Sequence, residues 1–197
     1  IEKWFNEGKY VPYSNEELHE VIIYGKTHIQ HHVRISRVFR DIPMPNILGG
    51  ANQPHMRQII HKKMEERGLK CECIRCCEVK DRIVDPKKIH IKSYSYDASY
   101  SSEYFISAES LDENDNRIVH GFVRLRIPHN SKTKWIEDLK DCALIRELHV
   151  YGQLVPTFNS SYQHNNQHNG LGRKLINEAE KISKKQGFKK ISITSGV

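Results

Sequence analysis

Four of the five cysteines in this 197-residue chain lie within seven consecutive residues, from Cys71 to Cys77. Thiolates this close in sequence can bind one cation without help from distant parts of the chain, and zinc takes four nitrogen or sulfur ligands. The spacing predicts a structural zinc ion bound by Cys71, Cys73 and Cys76. It leaves the fourth ligand open between Cys77, a histidine and a residue outside this sequence. Disulfides are not expected in a chain without a secretory signal. The alternative to a metal site is therefore a set of reactive or unpaired thiols.

The hydrophobic pattern changes partway along the chain. In the first part, Ser14 and Glu17 form a capping-box pattern at the start of a helix, and apolar residues at helical spacing predict another helix over about 52–67. Apolar and basic residues alternate over 33–40, which predicts a strand there. We therefore expect residues 1–80 to form a mainly helical linker region that carries the zinc site.

The rest of the sequence alternates apolar and polar residues, as half-buried strands do. The expected strands cover residues 89–97, 103–111, 117–127, 142–151 and 190–194, and one strong helix is expected over about 170–186. These elements predict a second domain over residues 81–197, with the α/β (α+β) architecture of a sheet flanked by helices.

Positive charge is concentrated in one stretch of the linker region. Residues 26–63 contain seven lysines and arginines, five histidines and one acid, in a chain whose net charge is +7. A local basic field predicts a polyanionic partner, with nucleic acid as the first candidate, and a solvated basic surface is the alternative. The residues expected to contact RNA are Arg34, Arg37, Arg40, Lys62 and Lys63. No window approaches about 18 uninterrupted apolar residues, so no membrane-spanning helix is expected.

A glycine-containing motif stands where the second domain passes from loop to helix. It reads Gln167-His168-Asn169-Gly170-Leu171-Gly172, with Arg173 in the first helical turn. A helix N-terminus offers unpaired amide groups and the positive end of the helix dipole, and glycine lets a phosphate approach the backbone closely. The motif favours a pyrophosphate site, and simple helix capping is the alternative.

Several longer strings in the sequence match one family. The motif Q-x-x-G-x-G after a strand resembles the acetyl-CoA signature of the GNAT acetyltransferases. The strings RVFRDIP, GFVRLRIP, IRELHVYG and QHNGLG follow the order found in the Elp3 family, the catalytic subunits of Elongator, which join a radical SAM domain to a GNAT acetyltransferase domain. The resemblance implies a region that follows the radical SAM core and contains most of the acetyltransferase domain. Its sequence stops before a family segment whose tyrosines contact acetyl-CoA, so the acetyltransferase domain is expected to be incomplete at its C-terminus.

The resemblance also implies an activity and a set of site residues. The implied reaction uses acetyl-CoA, together with SAM and a 4Fe-4S cluster in the missing radical SAM domain, to install a carboxymethyl precursor at C5 of the wobble uridine of tRNA. Glu147, Leu148, His149 and Val150 would line the pantetheine arm, and Gln167, His168, Asn169, Gly170, Gly172 and Arg173 would hold the phosphates of CoA. Besides tRNA, the expected partners are other Elongator subunits or a second copy of the chain, in the cytoplasm or the nucleus.

Two other functions fit the same residues. A protein (histone) lysine acetyltransferase would share every CoA contact but has no need for a basic segment that suits tRNA. An RNA-binding module stabilised by zinc and without enzymatic activity would retain only the fold of the acetyltransferase domain. Among catalytic candidates, Glu147 is kept as a group that orients water or substrate. We expect His149 to pack beside the core and Cys142 to be an ordinary buried thiol.

Overall fold

The structure is a computed structural model that describes residues 1–38, 40, 42–129, 137–152 and 170–194. The chain divides into two compact units, Ile1–Cys76 and Cys77–Val197. Helices dominate the described part of the first unit, and the second contains a five-stranded sheet. The expected mixed α/β class is confirmed.

The first unit is organised around two helices. Its helices are α1 (Glu2–Asn6), α2 (Asn15–Thr27), α3 (Met56–Glu66) and the single turn α4 (Ile74–Cys77), whose last residue begins the second unit. The predicted capping box is confirmed at the start of α2: the Glu17 amide donates to Ser14 Oγ over 3.2 Å, and the Ser14 amide donates to the Glu17 carboxylate over 2.8 Å. Apolar side chains from α2 and α3 then form a small core that includes Ile23, Ile60 and Met64.

The predicted strand over 33–40 is wrong. Residues 33–38 form no strand, because a strand needs a neighbour for its backbone groups and this segment bonds its carbonyls one at a time. The Ile74 amide donates to the Val33 carbonyl over 3.0 Å. The Arg57 guanidinium donates to the Ile35 carbonyl over 3.1 Å. Regular alternation alone therefore does not show that a partner strand exists.

The predicted start of the helix over 52–67 is also wrong. α3 begins at Met56, because Pro54 disfavours the helical conformation in the residue before it and His55 adopts a left-handed φ of 59°. The predicted end agrees with the structure, since the helix stops at Glu66.

The sheet of the second unit follows the order of its strands in the sequence. β1 (His90–Asp97), β2 (Ser101–Leu111), β3 (Arg117–Pro128) and β4 (Cys142–Val150) are antiparallel neighbours, and β5 (Lys190–Ile193) pairs parallel to β4. Parallel neighbours require a crossover, and α5 (Leu171–Lys185) lies between these two strands in the sequence. The five predicted strands and the predicted helix of this region are confirmed, with small shifts at their ends.

The two faces of the sheet differ in chemistry. One face packs under α5, whose buried Leu171, Leu175 and Ala179 meet residues such as Ile106 and Val123. Successive side chains of a strand point to opposite faces, so the neighbours of these strand residues lie on the other face. That second face carries buried aromatic rings and charged groups.

Two buried carboxylates on the second face are neutralised by arginines. Glu103 accepts hydrogen bonds from Arg126 over 3.2 Å and from Arg146 over 2.7 Å. Glu109 accepts from Arg117 Nε over 2.7 Å. Burial disfavours the charged form of Glu109, but hydrogen bonds from Arg117 and its neighbour Ser107 outweigh this effect and lower the pKa of the carboxyl.

Among the described residues, no helix is both long enough and apolar enough to cross a lipid bilayer.

Candidate functional site

The far end of β4 has a different environment from its beginning. β5 pairs with β4 only along Cys142–Ile145. Beyond a bulge, Glu147–Val150 pair with β3 on one edge. Among the described strands, none covers the other edge of this stretch. A backbone edge with free donors and acceptors can bind an extended ligand in the way that it would bind another strand.

The start of α5 lies beside this end of β4. Gly170 precedes the helix with a left-handed φ of 65° and has no side chain, so no N-cap side chain accepts a hydrogen bond from the amides of the first turn. A Cβ placed on Gly172 would meet Val150 Cγ2 at 3.8 Å, which is an ordinary contact, and no other atom of the described residues within 4 Å. The helix terminus and the end of β4 are thus adjacent, and the described part of the chain leaves space at Gly172. The predicted phosphate contacts Gln167, His168 and Asn169 lie outside the described residues.

The four β4 residues predicted to line a pantetheine arm divide between the two faces of the sheet. Val150 packs against the core under α5, and Leu148, on the same face, keeps 40% of its surface exposed. Glu147 and His149 lie on the opposite face. The His149 ring stacks on Phe122, with 6.1 Å between ring centroids, although His149 as a whole is exposed.

Arg124 determines the surroundings of Glu147, and the sequence analysis missed it. Its Nε donates to Glu147 Oε2 over 3.0 Å. Its guanidinium carbon lies 5.3 Å from the ring centroids of both Phe105 and Phe122, a cation–π arrangement that fixes its position. Glu147 is therefore held by a partner instead of facing solvent alone. The strand alternation places Arg124 on the face of Phe122, but the pairing with Glu147 depends on the strand register.

The cysteine spacing brings three sulfur atoms together. The Sγ atoms of Cys71, Cys73 and Cys76 all lie within 4.8 Å of one another, and this group, found among the described residues, does not include Cys77. Hydrogen bonds from the thiols of Cys71 and Cys76 lower the pKa of Cys73 far below its usual range. Hydrogen bonds to the neighbouring sulfur atoms raise the pKa of Cys76.

Two residues from the helices complete the surroundings of the sulfur group, and the sequence analysis had not singled out either of them. His61, on α3, has its Nε2 atom 3.7 Å from Cys76 Sγ. Lys26, in the last turn of α2, is only 2% exposed, and its Nζ atom donates to Cys76 Sγ over 3.5 Å. Burial of an ammonium group is costly unless the group is paired, and Cys76 Sγ accepts a hydrogen bond from this one.

The residues predicted to contact RNA are in different environments. Arg34, Arg37, Arg40 and Lys62 are exposed. Lys63 is partly buried and its Nζ lies 2.6 Å from His19 Nδ1, so it has an internal partner. The basic stretch of the sequence is thus shared between structural contacts and an open surface.

Comparison with known proteins adds independent observations. A family model described as the Radical_SAM C-terminal domain matches residues 1–66. The tRNA uridine(34) acetyltransferase of Methanocaldococcus jannaschii is 40% identical over 203 residues, an alignment that covers 100% of this chain and 36% of that protein. Elongator complex protein 3 of Homo sapiens is 33% identical over 201 residues, covering 100% of this chain and 36% of that protein.

A solved structure shows the same fold. The archaeal Methanocaldococcus infernus Elp3 with an N-terminal deletion matches with a TM-score of 0.82 at 38% identity, covering 98% of this chain and 46% of that chain. The chain therefore spans less than half the length of these relatives, and the similarity extends over both of its units.

Proposed function

We propose that this chain, homologous over its whole length to a section of the Elp3 proteins, is part of a tRNA uridine(34) acetyltransferase. The observation that carries the proposal is the alignment of the complete chain with a protein of that name at 40% identity. The enzyme is an acyltransferase that uses acetyl-CoA to modify C5 of the wobble uridine of tRNA. Such an activity requires the remainder of the full-length protein.

Acetyl-CoA would lie between the free edge of β4 and the start of α5. The pantetheine arm would extend along the backbone of Glu147–Val150, and the phosphates would meet the amides that follow Gly170. The open space at Gly172 leaves room for a phosphate near the backbone, and Arg173 adds positive charge in the first turn. Gln167, His168 and Asn169 would complete this binding site. Glu147, held by Arg124, would orient substrate or water.

The sulfur group fits a tetrahedral zinc ion. Sulfur atoms bound to zinc at about 2.3 Å lie about 3.8 Å from one another, a separation compatible with sulfur atoms that are all within 4.8 Å here. Cys71, Cys73 and Cys76 would be three ligands, and the position of His61 Nε2 favours this residue as the fourth. The ion would supply folding free energy and tie the chain after α3 to that helix.

Charge balance supports the same ligand set. Three thiolates and a neutral imidazole around Zn²⁺ leave one negative charge, which the ammonium of Lys26 would compensate at Cys76. Four thiolates, with Cys77 as the fourth, would leave two negative charges. Lys26 therefore favours histidine over a fourth cysteine.

The rest of the proposed function concerns the full-length protein and its partners. SAM and a 4Fe-4S cluster would be bound by the radical SAM domain of the full-length protein. tRNA would be the substrate and would contact Arg34, Arg37, Arg40 and Lys62. Lys63, despite its bond to His19, remains a candidate at the edge of the same surface. Other Elongator subunits or a second copy of the chain are further proposed partners, and the proposed compartment is the cytoplasm or the nucleus.

The proposal is tested by acetyl-CoA turnover of the full-length enzyme with and without tRNA. We expect acetyl-CoA consumption to increase when tRNA is added, and the modified wobble uridine to be detected by mass spectrometry of nucleosides. Turnover stimulated by a histone peptide but not by tRNA would overturn the proposal and favour a protein lysine acetyltransferase.

The acetyl-CoA site has its own test. The substitution Gly172→Glu should weaken acetyl-CoA binding more than tenfold in calorimetry, because a carboxylate would repel the phosphates and fill their space. Gly25→Glu is the matched control, since Gly25 is also helical and no atom lies within 4 Å of a Cβ placed there. Equal affinity of both variants would contradict the assignment of the site.

A further inference from the structure

A cavity in the first unit has none of the proposed acetyl-CoA or zinc ligands among its described lining residues. Its volume is about 660 Å³, and its lining includes Arg37, Arg40, Arg57 and Arg75 together with His55. The other described lining residues are uncharged, and none of those described is acidic. Four positive charges therefore meet at one concave site.

The shape of this cavity is set by two of its arginines. Arg57 donates to the Ile35 carbonyl over 3.1 Å, and Arg75 donates to the Ser36 carbonyl. These bonds replace the strand pairing that the segment lacks, and they hold both guanidinium groups in place. Arg57 belongs to the first turn of α3, so the positive end of the helix dipole lies at the same site.

The other two arginines are available to a ligand. Arg37 and Arg40 are exposed. Like charges around one cavity repel each other, and an anion between them removes that repulsion. Guanidinium groups also match phosphate in geometry, because each can donate two parallel hydrogen bonds to its oxygens.

The size of the cavity favours a chain of phosphates over a single small anion. Pockets for organic ligands typically occupy about 300–1,000 Å³, so about 660 Å³ can hold a nucleotide unit with its flanking phosphates. One inorganic phosphate would contact only part of such a lining.

We propose that this cavity binds a phosphodiester segment of RNA, with Arg37, Arg40, Arg57 and Arg75 as its phosphate contacts. This proposal deepens the proposed function, since it assigns part of the tRNA-binding surface. It also changes the set of contact residues predicted from sequence. Arg57 and Arg75 are added, whereas Arg34, Lys62 and Lys63 are not among the described residues that line the cavity.

The test compares two pairs of substitutions in the full-length protein. The cavity pair is Arg37→Gln with Arg40→Gln, and the control pair is Lys3→Gln with Lys70→Gln, which removes the same charge from exposed residues outside the cavity. We expect the cavity pair to weaken tRNA binding at least tenfold. It should also lower the slope of log Kd against log salt concentration by about two, because each lost phosphate contact lowers that slope by about one. The control pair should change affinity less than threefold. Equal losses in both pairs would overturn the proposal, because a diffuse basic field would then explain binding.

A charge-conserving substitution tests the geometry. Arg57→Lys keeps the positive charge but loses the planar fork, so we expect a clear loss of tRNA affinity with an unchanged far-UV spectrum. Full affinity in this variant would contradict the assignment of Arg57 as a phosphate contact.

Competition distinguishes RNA from a small phosphate ligand. A short single-stranded RNA should compete with tRNA for the wild-type protein, whereas inorganic pyrophosphate at the same phosphate concentration should not. Effective competition by pyrophosphate would reassign the cavity to a small anion. The acetyl-CoA affinity of the cavity pair should equal that of the wild type. If the enzyme does not modify tRNA but the cavity pair still loses RNA binding, the proposed function fails and the cavity assignment stands.

Discussion

The two units balance their buried charges in different ways. In the second unit, the buried carboxylates of Glu103 and Glu109 are each paired with arginines. In the first unit, the buried ammonium of Lys26 donates to a sulfur atom of the cysteine group. Four arginines of the same unit line a cavity without an acidic group among its described lining residues.

This difference indicates which unit depends on ligands. The second unit neutralises its charges with its own side chains and buries an apolar layer between its sheet and α5. The first unit has a smaller core, and its sulfur group and arginine cavity are the sites that we propose to bind a metal ion and phosphates. We expect the first unit to respond strongly to loss of metal and the second unit to respond mainly to changes within its own sheet.

The largest expected effect is loss of the metal ligands. Cys73→Ala should abolish the zinc site, whose contribution to folding is on the order of 10 kcal/mol, so the amides of α2 and α3 should lose protection in hydrogen exchange. The amides of β2 and β3 should keep theirs. Cys142→Ala is the control, since it replaces a buried cysteine outside the sulfur group of the described residues. Unchanged protection of α3 in Cys73→Ala would show that the first unit does not depend on the metal.

The second effect compares ion pairs. Glu109→Ala should destabilise the second unit by about 3 kcal/mol in denaturant unfolding, because it leaves the buried guanidinium of Arg117 without its partner. In the first unit, Arg67 pairs with Glu20 over 2.6 Å, but both side chains are largely exposed. Glu20→Ala should therefore produce no measurable loss. A similar loss in the two variants would remove the contrast between the units.

The third effect compares two glycines. A Cβ on Gly121 would lie 2.8 Å from the His149 carbonyl oxygen, so Gly121→Ala should force β3 and β4 apart and cost about 1–3 kcal/mol. A Cβ on Gly25 would meet no atom within 4 Å, and this residue lies inside α2. Gly25→Ala should stabilise the first unit by about 0.5–1 kcal/mol. Thermal unfolding of both variants measures these opposite signs, and loss of stability in both would contradict the contrast.

The smallest effect concerns acid. The pKa of Glu109 is lowered from 4.5 in the folded protein, so its charged form stabilises the second unit fully above about pH 4.5. This contribution is lost as the pH falls from that value through the lowered pKa. In the variant Glu109→Gln, stability measured in denaturant should depend less on pH across this range. An unaltered pH dependence would show that Glu109 does not contribute.

Local patterns predicted the second unit well. Alternation and turn residues are read over a few neighbouring positions, so the bounds of β2 and β3 were close to those observed. In the first unit the same alternation was misleading, because it could not reveal that residues 33–38 have no strand beside them. The start of α3 depended on Pro54 and on the left-handed conformation of His55, which outweighed the helical spacing of the apolar residues.

In the candidate sites, too, some contacts could be predicted from the sequence and others could not. The grouping of Cys71, Cys73 and Cys76 follows from short spacing, whereas His61 and Lys26 reach the sulfur atoms only through the packing of α2 and α3. The contact of Arg124 with Glu147 depends on a bulge that shifts the register between β3 and β4. Contacts between distant parts of the sequence required the three-dimensional structure.

The order of the strands also has a consequence for the time course of folding. Each of the strands β1 to β4 pairs with the strand next to it in the sequence. Cys142 of β4, by contrast, pairs with Lys190 of β5, which lies about fifty residues further along the chain. Closing a longer loop costs more entropy, so the four-stranded meander should form before α5 and β5 dock on it. The proposed coenzyme site uses both β4 and α5. This proposed site should therefore be assembled at the last stage of folding, because a nascent chain that has reached only β4 still lacks one of its two sides.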